Sequence, residues 1–392
     1  MRAALRLFAM GGLALLSACA VIPAGGAGGA IAPVATTAGG TALFAAQGVA
    51  ALPISRDDAA GALTAFVGSC GWATSREDAS GLTRPVDWQV PCDAARSWTG
   101  DPRAFFVTHF ETVRVADGKA FATGYFEPEI RGSRTRRPGY EVPIYGMPAD
   151  LVRAWPADTP ESERQGRAPL GRTDEFGNHV PYYTRAEIED GALEGRGLEI
   201  AWAADPVEVF FLQIQGSGRL ITPEGDVVRI GYAGQNGHAY TGIGGVMRER
   251  GLLGEGPGKY SGSMQGIMQY IRENPQAGRD LMRLNESWIF FRELTGAGPL
   301  GSLGVAVSRE NSVAVDPNFV PYGAPVWLQL DRPEANGLWV AQDTGGAIKG
   351  TNRFDTFWGA GEDSRLIAGG MTGRGEALIL VPKGTLARLR GQ

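Results

Sequence analysis

Short runs of alternating apolar and polar residues, separated by glycine and proline, begin near Phe121 and constrain the fold most strongly. Phe121, Thr123 and Tyr125 alternate in one run, and a second run covers residues 207–211. Alternation with a period of two is typical of strands with one buried face, and Gly and Pro punctuate such strands. The 58 glycines among 392 residues also favour a turn-rich β architecture over a helical bundle.

A few short helices interrupt this pattern. Each begins at a residue whose side chain can cap a helix, and the caps are Ser55 (helix over residues 55–67), Asp101, Thr184 and Ser263. The C-terminal part shows weak helical patterns and predicts short strands at residues 325–330, 338–341 and 377–381. This part therefore indicates a compact all-β barrel.

The N-terminus has the features of an export signal. Arg2 and Arg6 precede an apolar run over residues 7–16, which is too short to span a bilayer as a helix. The run ends in Leu-Ser-Ala-Cys at residues 16–19, an order that resembles the lipobox of bacterial lipoproteins. We expect Cys19 to carry the lipid, with residues 1–19 as the signal. The alternative is an ordinary cleaved signal with an incidental cysteine.

Residues 20–50 contain mostly Gly, Ala, Pro and Thr and carry no charge. Such a segment buries too little surface to fold alone, so we expect a flexible tether. Ala20 is not the aspartate associated with retention in the inner membrane. The expected location is the periplasmic face of the outer membrane of a Gram-negative bacterium, through the lipid anchor.

Cys70 and Cys92 remain once Cys19 is lipidated. An even pair in an exported chain favours a disulfide, and the alternative is two buried free thiols. The chain has no Cys/His cluster and only three histidines, so we expect no metal site. The net charge of −5 gives no electrostatic support for nucleic-acid binding.

The segment from Trp339 to Asp355 carries two carboxyl groups. An apolar run ends at Asp343, a glycine-rich turn follows, and Asp355 comes after the basic residues Lys349 and Arg353. Two acids in one short segment can share a site, where one donates a proton while the other stays ionised. The alternative is a solvated turn in which Asp343 caps its own glycines.

Motifs along the chain resemble those of the MltA family, the membrane-bound lytic murein transglycosylases A of bacteria. The resemblance covers roughly residues 50–385. The motifs occupy residues 123–128, 142–145, 213–218, 231–238, 285–291 and 339–355.

The resemblance implies a mainly β fold: a double-psi β-barrel domain, a smaller inserted β-domain and a groove between them. The barrel domain is then formed by residues 51–129 and 289–392, and the insert by residues 130–288. No cofactor is expected.

The family cleaves the β-1,4 bond between N-acetylmuramic acid and N-acetylglucosamine and leaves a 1,6-anhydro sugar. The C6 hydroxyl of the substrate is the nucleophile, so one carboxyl group can serve as both acid and base. By resemblance, Asp355 is that group. Asp343 is the second acid, which raises the pKa of Asp355 or orients it.

The resemblance also implies substrate contacts on both sides of the groove, with Thr123 and Tyr125 at the domain junction. Further candidates are Gln215, Gly216, Ser217, Gly218, Gly345 and Lys349. The glycines of the first segment also suit a tight hairpin, and Lys349 has Asp343 as an alternative partner. Expected partners are peptidoglycan glycan strands and the membrane, with cell-wall synthesis or division proteins as further candidates.

Two other functions suit parts of the sequence. Asp343-Thr344-Gly345 matches the active-site tripeptide of aspartic proteases, but the chain contains it once, so that chemistry requires a homodimer. The second alternative is an expansin-like protein that binds cell-wall polysaccharide without cleaving it.

Overall fold

The computed structural model describes residues 37–296 and 298–391. The predicted signal, Cys19 and residues 20–36 of the predicted tether lie outside the described residues. The α-helices are α1 Arg56–Ala73, α2 Gln89–Arg96, α3 Pro102–His109, α4 Arg185–Glu189, α5 Pro206–Gln215, α6 Ile243–Glu249, α7 Met264–Glu273, α8 Pro275–Arg283, α9 Glu362–Gly370 and α10 Thr385–Leu389.

The strands are β1 Leu43–Ala45, β2 Phe110–Val115, β3 Lys119–Glu127, β4 Glu129–Ser133, β5 Val142–Tyr145, β6 Val152–Arg153, β7 Leu170–Thr173, β8 His179–Pro181, β9 Glu199–Ala203, β10 Ser217–Ile221, β11 Val227–Gln235, β12 Ile289–Glu293, β13 Ser312–Val315, β14 Pro325–Leu330, β15 Gly337–Asp343, β16 Arg353–Ala360 and β17 Thr372–Pro382. Short 3₁₀ helices cover Ala38–Gly40, Val49–Ala51, Pro85–Trp88, Glu161–Glu163 and Pro333–Ala335. Along the described chain, no helix is both long and apolar enough to cross a membrane.

Six strands close into a barrel in the order β17, β14, β15, β13, β16 and β3, with β3 pairing back to β17. The pairs β13 with β15 and β16 with β3 are parallel, and the other four pairs are antiparallel. The side chains of Val326, Val340 and Phe354 are fully buried in one large apolar core. This is the double-psi β-barrel that the resemblance implies, formed from β3 and from the C-terminal strands.

The chain between β3 and β13 forms a second set of sheets. One sheet has the order β12, β11, β10, β4, β9 and β5, and a smaller sheet contains β6, β7 and β8. Their side chains fill apolar clusters separate from the barrel core. The strand β12 pairs with β11 in this sheet, although it falls within the predicted barrel segment 289–392. Its apolar sequence predicts a strand but carries no information about which sheet it joins.

The predicted helices at Ser55, Asp101, Thr184 and Ser263 are confirmed as α1, α3, α4 and α7, each capped by the side chain expected. The helix α1 packs beside the barrel, and Cys70 in α1 is joined by a disulfide bond to Cys92 in α2.

The predicted strand over residues 207–211 is wrong, because these residues belong to α5. Asp205 accepts a hydrogen bond from the amide of Val207, Pro206 occupies the first turn, and Gly216 ends the helix with a φ of 79°. Val209 packs towards the sheet while Phe210 packs towards neighbouring helices. Because both sides of the helix are buried, the alternation in its sequence did not mark a strand face.

Residues 37–50 differ from the expected tether. The strand β1 pairs with β2, with Leu43 opposite Val115. Ala38 and Val49 are buried in the barrel core. These small apolar side chains are stable in this position because β2 offers an edge and the core offers apolar contacts, neither of which a local composition argument includes.

Candidate functional site

The two aspartates of the glycine-rich segment lie on either side of one strand. Asp343 ends β15 and Asp355 lies in β16, and both are register partners of Ala314 in the intervening strand β13. Directly paired residues project to the same face of a sheet, so both carboxyl groups point the same way with the small Ala314 side chain between them. The predicted proximity of the two acids thus arises from barrel pairing across β13.

Asp355 has a hydroxyl partner from the neighbouring strand. Thr123 in β3 is the register partner of Asp355, and its Oγ1 donates a hydrogen bond of 2.5 Å to Asp355 Oδ1. Arg353 Nη2 donates to the same Thr123 Oγ1 over 2.8 Å. The arginine therefore fixes the direction in which the threonine hydroxyl points, because the hydroxyl accepts from one side and donates to the other.

Asp343 is held by several donors. Its Oδ1 accepts from the amide of Ser302 at 2.9 Å, the hydroxyl of Ser302 at 2.7 Å and the amide of Thr344 at 2.8 Å. Its Oδ2 accepts from the hydroxyl of Tyr125 at 3.1 Å. These four hydrogen bonds favour the ionised carboxylate.

The surroundings of Asp355 favour the protonated acid much more than those of an ordinary surface aspartate. Burial is the main cause and raises the pKa of Asp355 to about 6, against the opposing effects of the Thr123 hydrogen bond and the Arg353 charge. The charge of Asp343 also raises the pKa of Asp355, but it is the weakest of these causes. Burial likewise raises the pKa of Asp343, while its hydrogen bonds from Ser302, Thr344 and Tyr125 act in the opposite direction.

Hydrogen bonds hold the turn between the two aspartates at its C-terminal end, next to β16. Asp316, which follows β13, accepts a hydrogen bond of 2.8 Å from the amide of Gly350. Asn352 adopts a left-handed φ of 53° and donates to the carbonyl of Val115 over 2.9 Å. Gly345 lies within this turn, where its carbonyl accepts from the amide of Ile348.

A tyrosine from the insert faces the carboxyl pair. Burial raises the pKa of Tyr240, and the charge of Asp355 raises it further. Tyr240 lines the same pocket as Thr123, the hydrogen-bond partner of Asp355. Its side chain also packs against the turn at Gly346, where an added Cβ atom would lie 3.5 Å from Tyr240 Cβ. The site thus has one wall from the barrel and one from the insert.

An apolar pocket continues from this point between the two walls. Its lining includes Thr123, Gly124, Phe126, Phe211, Ile214, Gln215, Tyr240, Ile243, Met264, Ile267, Met371 and Thr372. The pocket provides the groove that the resemblance implies.

The predicted contacts from the insert have mainly structural partners. Gln215 Oε1 accepts from the amide of Phe126 over 3.0 Å and so ties α5 to β3, although the side chain also borders the pocket. Gly216 ends α5, and Gly218 is buried where a Cβ atom would lie 2.5 Å from Leu212. Ser217 begins β10 in the sheet of the insert. Helix termination therefore explains the glycine at position 216, and close packing explains the glycine at position 218.

Lys349 is exposed, and within the described residues its ammonium group makes no ion pair with Asp343 or any other carboxylate. Tyr240, Ser302 and Asp316 also belong to the site, although none of them was predicted from the sequence. Asp316 had one recognisable signal, since it follows an apolar strand as Asp343 does. Tyr240 and Ser302 lie far from the aspartate segment in sequence and carried no local signal.

Among the described residues, no group of three or more His, Cys, Asp and Glu side chains could hold a metal ion.

The geometry defines a two-part β protein whose barrel presents a carboxyl pair to an inserted domain across a groove. Comparison with protein families gives a match to the MltA specific insert domain over residues 121–292 and to the 3D domain over residues 311–381. The chain belongs to the MltA family.

One relative is the membrane-bound lytic murein transglycosylase A of Vibrio cholerae, 31% identical over 263 residues. The match covers 64% of this chain and 62% of that protein, which is less than two thirds of its length.

Two solved structures of the family are similar to this chain. MltA from Neisseria gonorrhoeae is 36% identical with a TM-score of 0.68, and the match covers 83% of this chain and 89% of that one. Escherichia coli MltA with bound chitohexaose is 25% identical with a TM-score of 0.60, and the match covers 87% of this chain and 94% of that one.

Proposed function

We propose that the protein is a lytic transglycosylase that cleaves the β-1,4 bond between N-acetylmuramic acid and N-acetylglucosamine in peptidoglycan and forms a 1,6-anhydromuramic end. The observation that carries the proposal is the pair of carboxyl groups beside the groove, where the groove residue Thr123 bonds to Asp355. Burial raises the pKa of Asp355 to about 6. Burial also raises the pKa of Asp343, but four donors oppose that shift and favour its ionised form. The name of the V. cholerae relative and the chitohexaose bound to the E. coli relative support the same activity.

Asp355 is the proposed acid. Its Oδ1 accepts the hydrogen of Thr123, so the carboxyl proton belongs on Oδ2. In the first half of the reaction, Oδ2 gives this proton to the oxygen between the two sugars as the bond to the muramic C1 breaks. With a pKa near 6, both the protonated and the ionised forms of Asp355 are populated around neutral pH. This suits a group that acts first as an acid and then as a base.

The same carboxylate then acts as the base. It takes the proton of the muramic C6 hydroxyl while that oxygen attacks C1 of the same sugar. Attack within one sugar ring has a high effective concentration, so no water molecule and no enzyme nucleophile is required. The proton returned to Asp355 restores the starting state.

Asp343 is proposed to act through its negative charge. Positive charge develops at C1 as the glycosidic bond breaks, and a carboxylate that remains ionised stabilises it. Tyr125 and Ser302 contribute by holding this carboxylate in one orientation.

We further propose that the chain is attached to the outer membrane by a lipid on Cys19 and acts from its periplasmic face. The support is the sequence at residues 16–19 and the description of the V. cholerae relative as membrane-bound. Within the chain, we propose that the insert spans residue 130 to the end of β12, because β12 completes the six-stranded sheet.

Purified sacculi provide the test. The wild-type protein should release muropeptides with 1,6-anhydro ends, identified by mass spectrometry. Asp355→Asn should lower turnover by at least about 10²–10⁴-fold, since one group serves as acid and base. Asp343→Asn should lower it less. Asp117→Asn serves as the matched control, because this aspartate is exposed in the turn between β2 and β3 and has Lys119 as its partner.

Three results would contradict the proposal. Substantial turnover by a correctly folded Asp355→Asn protein would refute the role of that residue. Products with ordinary reducing ends in place of anhydro ends would refute the reaction, and binding of sacculi without any product would favour a non-catalytic wall-binding protein.

A further inference from the structure

Two arginines flank one phenylalanine on the barrel wall next to the carboxyl pair. Phe121 lies in β3, with Arg353 of β16 as its partner on one side and Arg374 of β17 on the other. The guanidinium carbons lie 4.9 Å and 4.7 Å from the centre of the Phe121 ring. Because both distances are measured to the same ring centre, the two guanidinium carbons are at most 9.6 Å apart. We call Phe121, Arg353 and Arg374 the arginine pair site.

This site lies beside the proposed acid. Phe121 precedes Thr123 by two positions on β3, and Arg353 precedes Asp355 by two positions on β16, so all four side chains share one face. Two residues along a strand correspond to about 7 Å. A substituent on a sugar bound at Asp355 is therefore within reach of the two arginines.

The site has unused positive charge. Across residues 37–296 and 298–391, no carboxylate lies within 4.0 Å of either guanidinium group. Arg353 donates to the carbonyl of Phe354 and to Thr123 Oγ1, which leaves several of its five N–H donors free. The Arg374 side chain is exposed. Its main-chain amide and carbonyl both bond to Asp331, and among the described residues its guanidinium group has no hydrogen-bond partner.

A purely structural role explains these features poorly. Two like charges held within 10 Å repel each other. The charge of Asp355 acts on Arg353, but Asp355 loses that charge whenever it is protonated to act as an acid. The Phe121 ring has a guanidinium group on each side, so it supports the arginines and offers no free face to a sugar ring. A bound anion would remove the repulsion and use the free donors in the bidentate manner that arginine favours.

We infer that the arginine pair site binds a carboxylate carried by the lactyl side chain of muramic acid, either the lactyl carboxylate itself or one of the attached peptide. This inference rests on the proposed function, because it takes peptidoglycan as the substrate. Hydroxyl and acetamido groups of the glycan are neutral, so a carboxylate is the substrate group that matches two guanidinium groups. The site would favour muramic acid over N-acetylglucosamine next to Asp355.

Binding measurements on the full chain test the inference without requiring turnover. The Asp355→Asn protein, with or without Arg374→Gln, is titrated with three ligands of matched glycan length: intact strands, strands freed of peptide by an amidase, and strands whose carboxyl groups have been converted to amides. Arg114→Gln is the matched control. Arg114 is likewise an exposed arginine over a phenylalanine, with its guanidinium carbon 5.3 Å from the Phe44 ring centre, but it lies on β2.

Acidic strands should bind about tenfold more tightly than the amidated strands, since a charge-assisted hydrogen bond is worth at least that factor. Arg374→Gln should abolish this preference, Arg374→Lys should keep part of it, and Arg114→Gln should keep all of it. A preference seen with peptide-free strands identifies the lactyl carboxylate as the ligand. A preference limited to intact strands identifies the peptide carboxylates.

Equal binding of acidic and amidated strands, or a preference that survives Arg374→Gln, would overturn the inference. Cleavage assays separate this failure from a failure of the proposed function. If the wild type forms anhydro ends from acidic and amidated strands with the same KM, the proposed function stands and the carboxylate site is refuted. If the wild type forms no anhydro ends at all, the proposed function fails and the binding data alone decide on the anion site.

Discussion

Asp355 should make the folded protein less stable at neutral pH. Its pKa is raised from an ordinary 3.8 to about 6, mainly because the folded barrel removes water from the carboxyl group. A group whose pKa is raised in the folded state stabilises folding below its unfolded pKa, and this contribution is lost as the pH rises through the folded pKa. The relevant window for Asp355 therefore extends from about pH 4 to about pH 6.

Asp355→Asn removes this effect, because an amide does not ionise. The asparagine oxygen can still accept the hydrogen bond from Thr123, so the change is close to isosteric. Raising the pKa from 3.8 to about 6 corresponds to about 3 kcal/mol. Because the Asp355 side chain is only half-buried, we expect the variant to be more stable than the wild type by about 1–3 kcal/mol at pH 7.5.

Chemical denaturation of both proteins at pH 7.5 and at pH 4 measures this difference. The asparagine variant should be more stable at pH 7.5 and nearly equal to the wild type at pH 4. Asp117→Asn, the exposed control, should show no such gain. The reasoning is refuted if Asp355→Asn is no more stable than the wild type at pH 7.5, or if its advantage is the same at both pH values.

Three other changes have defined outcomes. Thr123→Val removes a hydrogen bond that lowers the pKa of Asp355, so the pH optimum of cleavage should move to higher pH; an unchanged pH–rate profile would contradict this. Replacing both Cys70 and Cys92 with serine should lower the free energy of unfolding by about 3 kcal/mol, since the disulfide closes a loop with a sequence separation of 22; denaturation curves that match the wild type would refute the expectation. Cys19→Ala should release the protein from the membrane fraction or leave its signal uncleaved, and normal processing with normal fractionation would show that Cys19 carries no anchor.

Local sequence was sufficient for elements that depend on local interactions. The caps at Ser55 and Thr184 were predictable because the side chain and the amide it bonds are three residues apart. The strand at Pro325–Leu330 matched its prediction, since a buried strand requires a short apolar run between turn residues. The prediction failed for Pro206–Gln215, where burial on two sides produced an apolar pattern that resembles a strand.

In the candidate site too, some features could be predicted from local sequence and others depend on tertiary packing. The order of residues alone shows that Asp343 and Asp355 flank a glycine-rich turn, and family motifs pointed to Thr123 and Tyr125. Strand pairing and packing place Ala314 between the two acids, Ser302 against Asp343, and Tyr240 beside the turn and the pocket. Strand register and the closure of the barrel bring these residues together across long stretches of chain. The raised pKa of Asp355 follows from burial in that closed barrel, so it is a property of the packed fold, and no local pattern of residues encodes it.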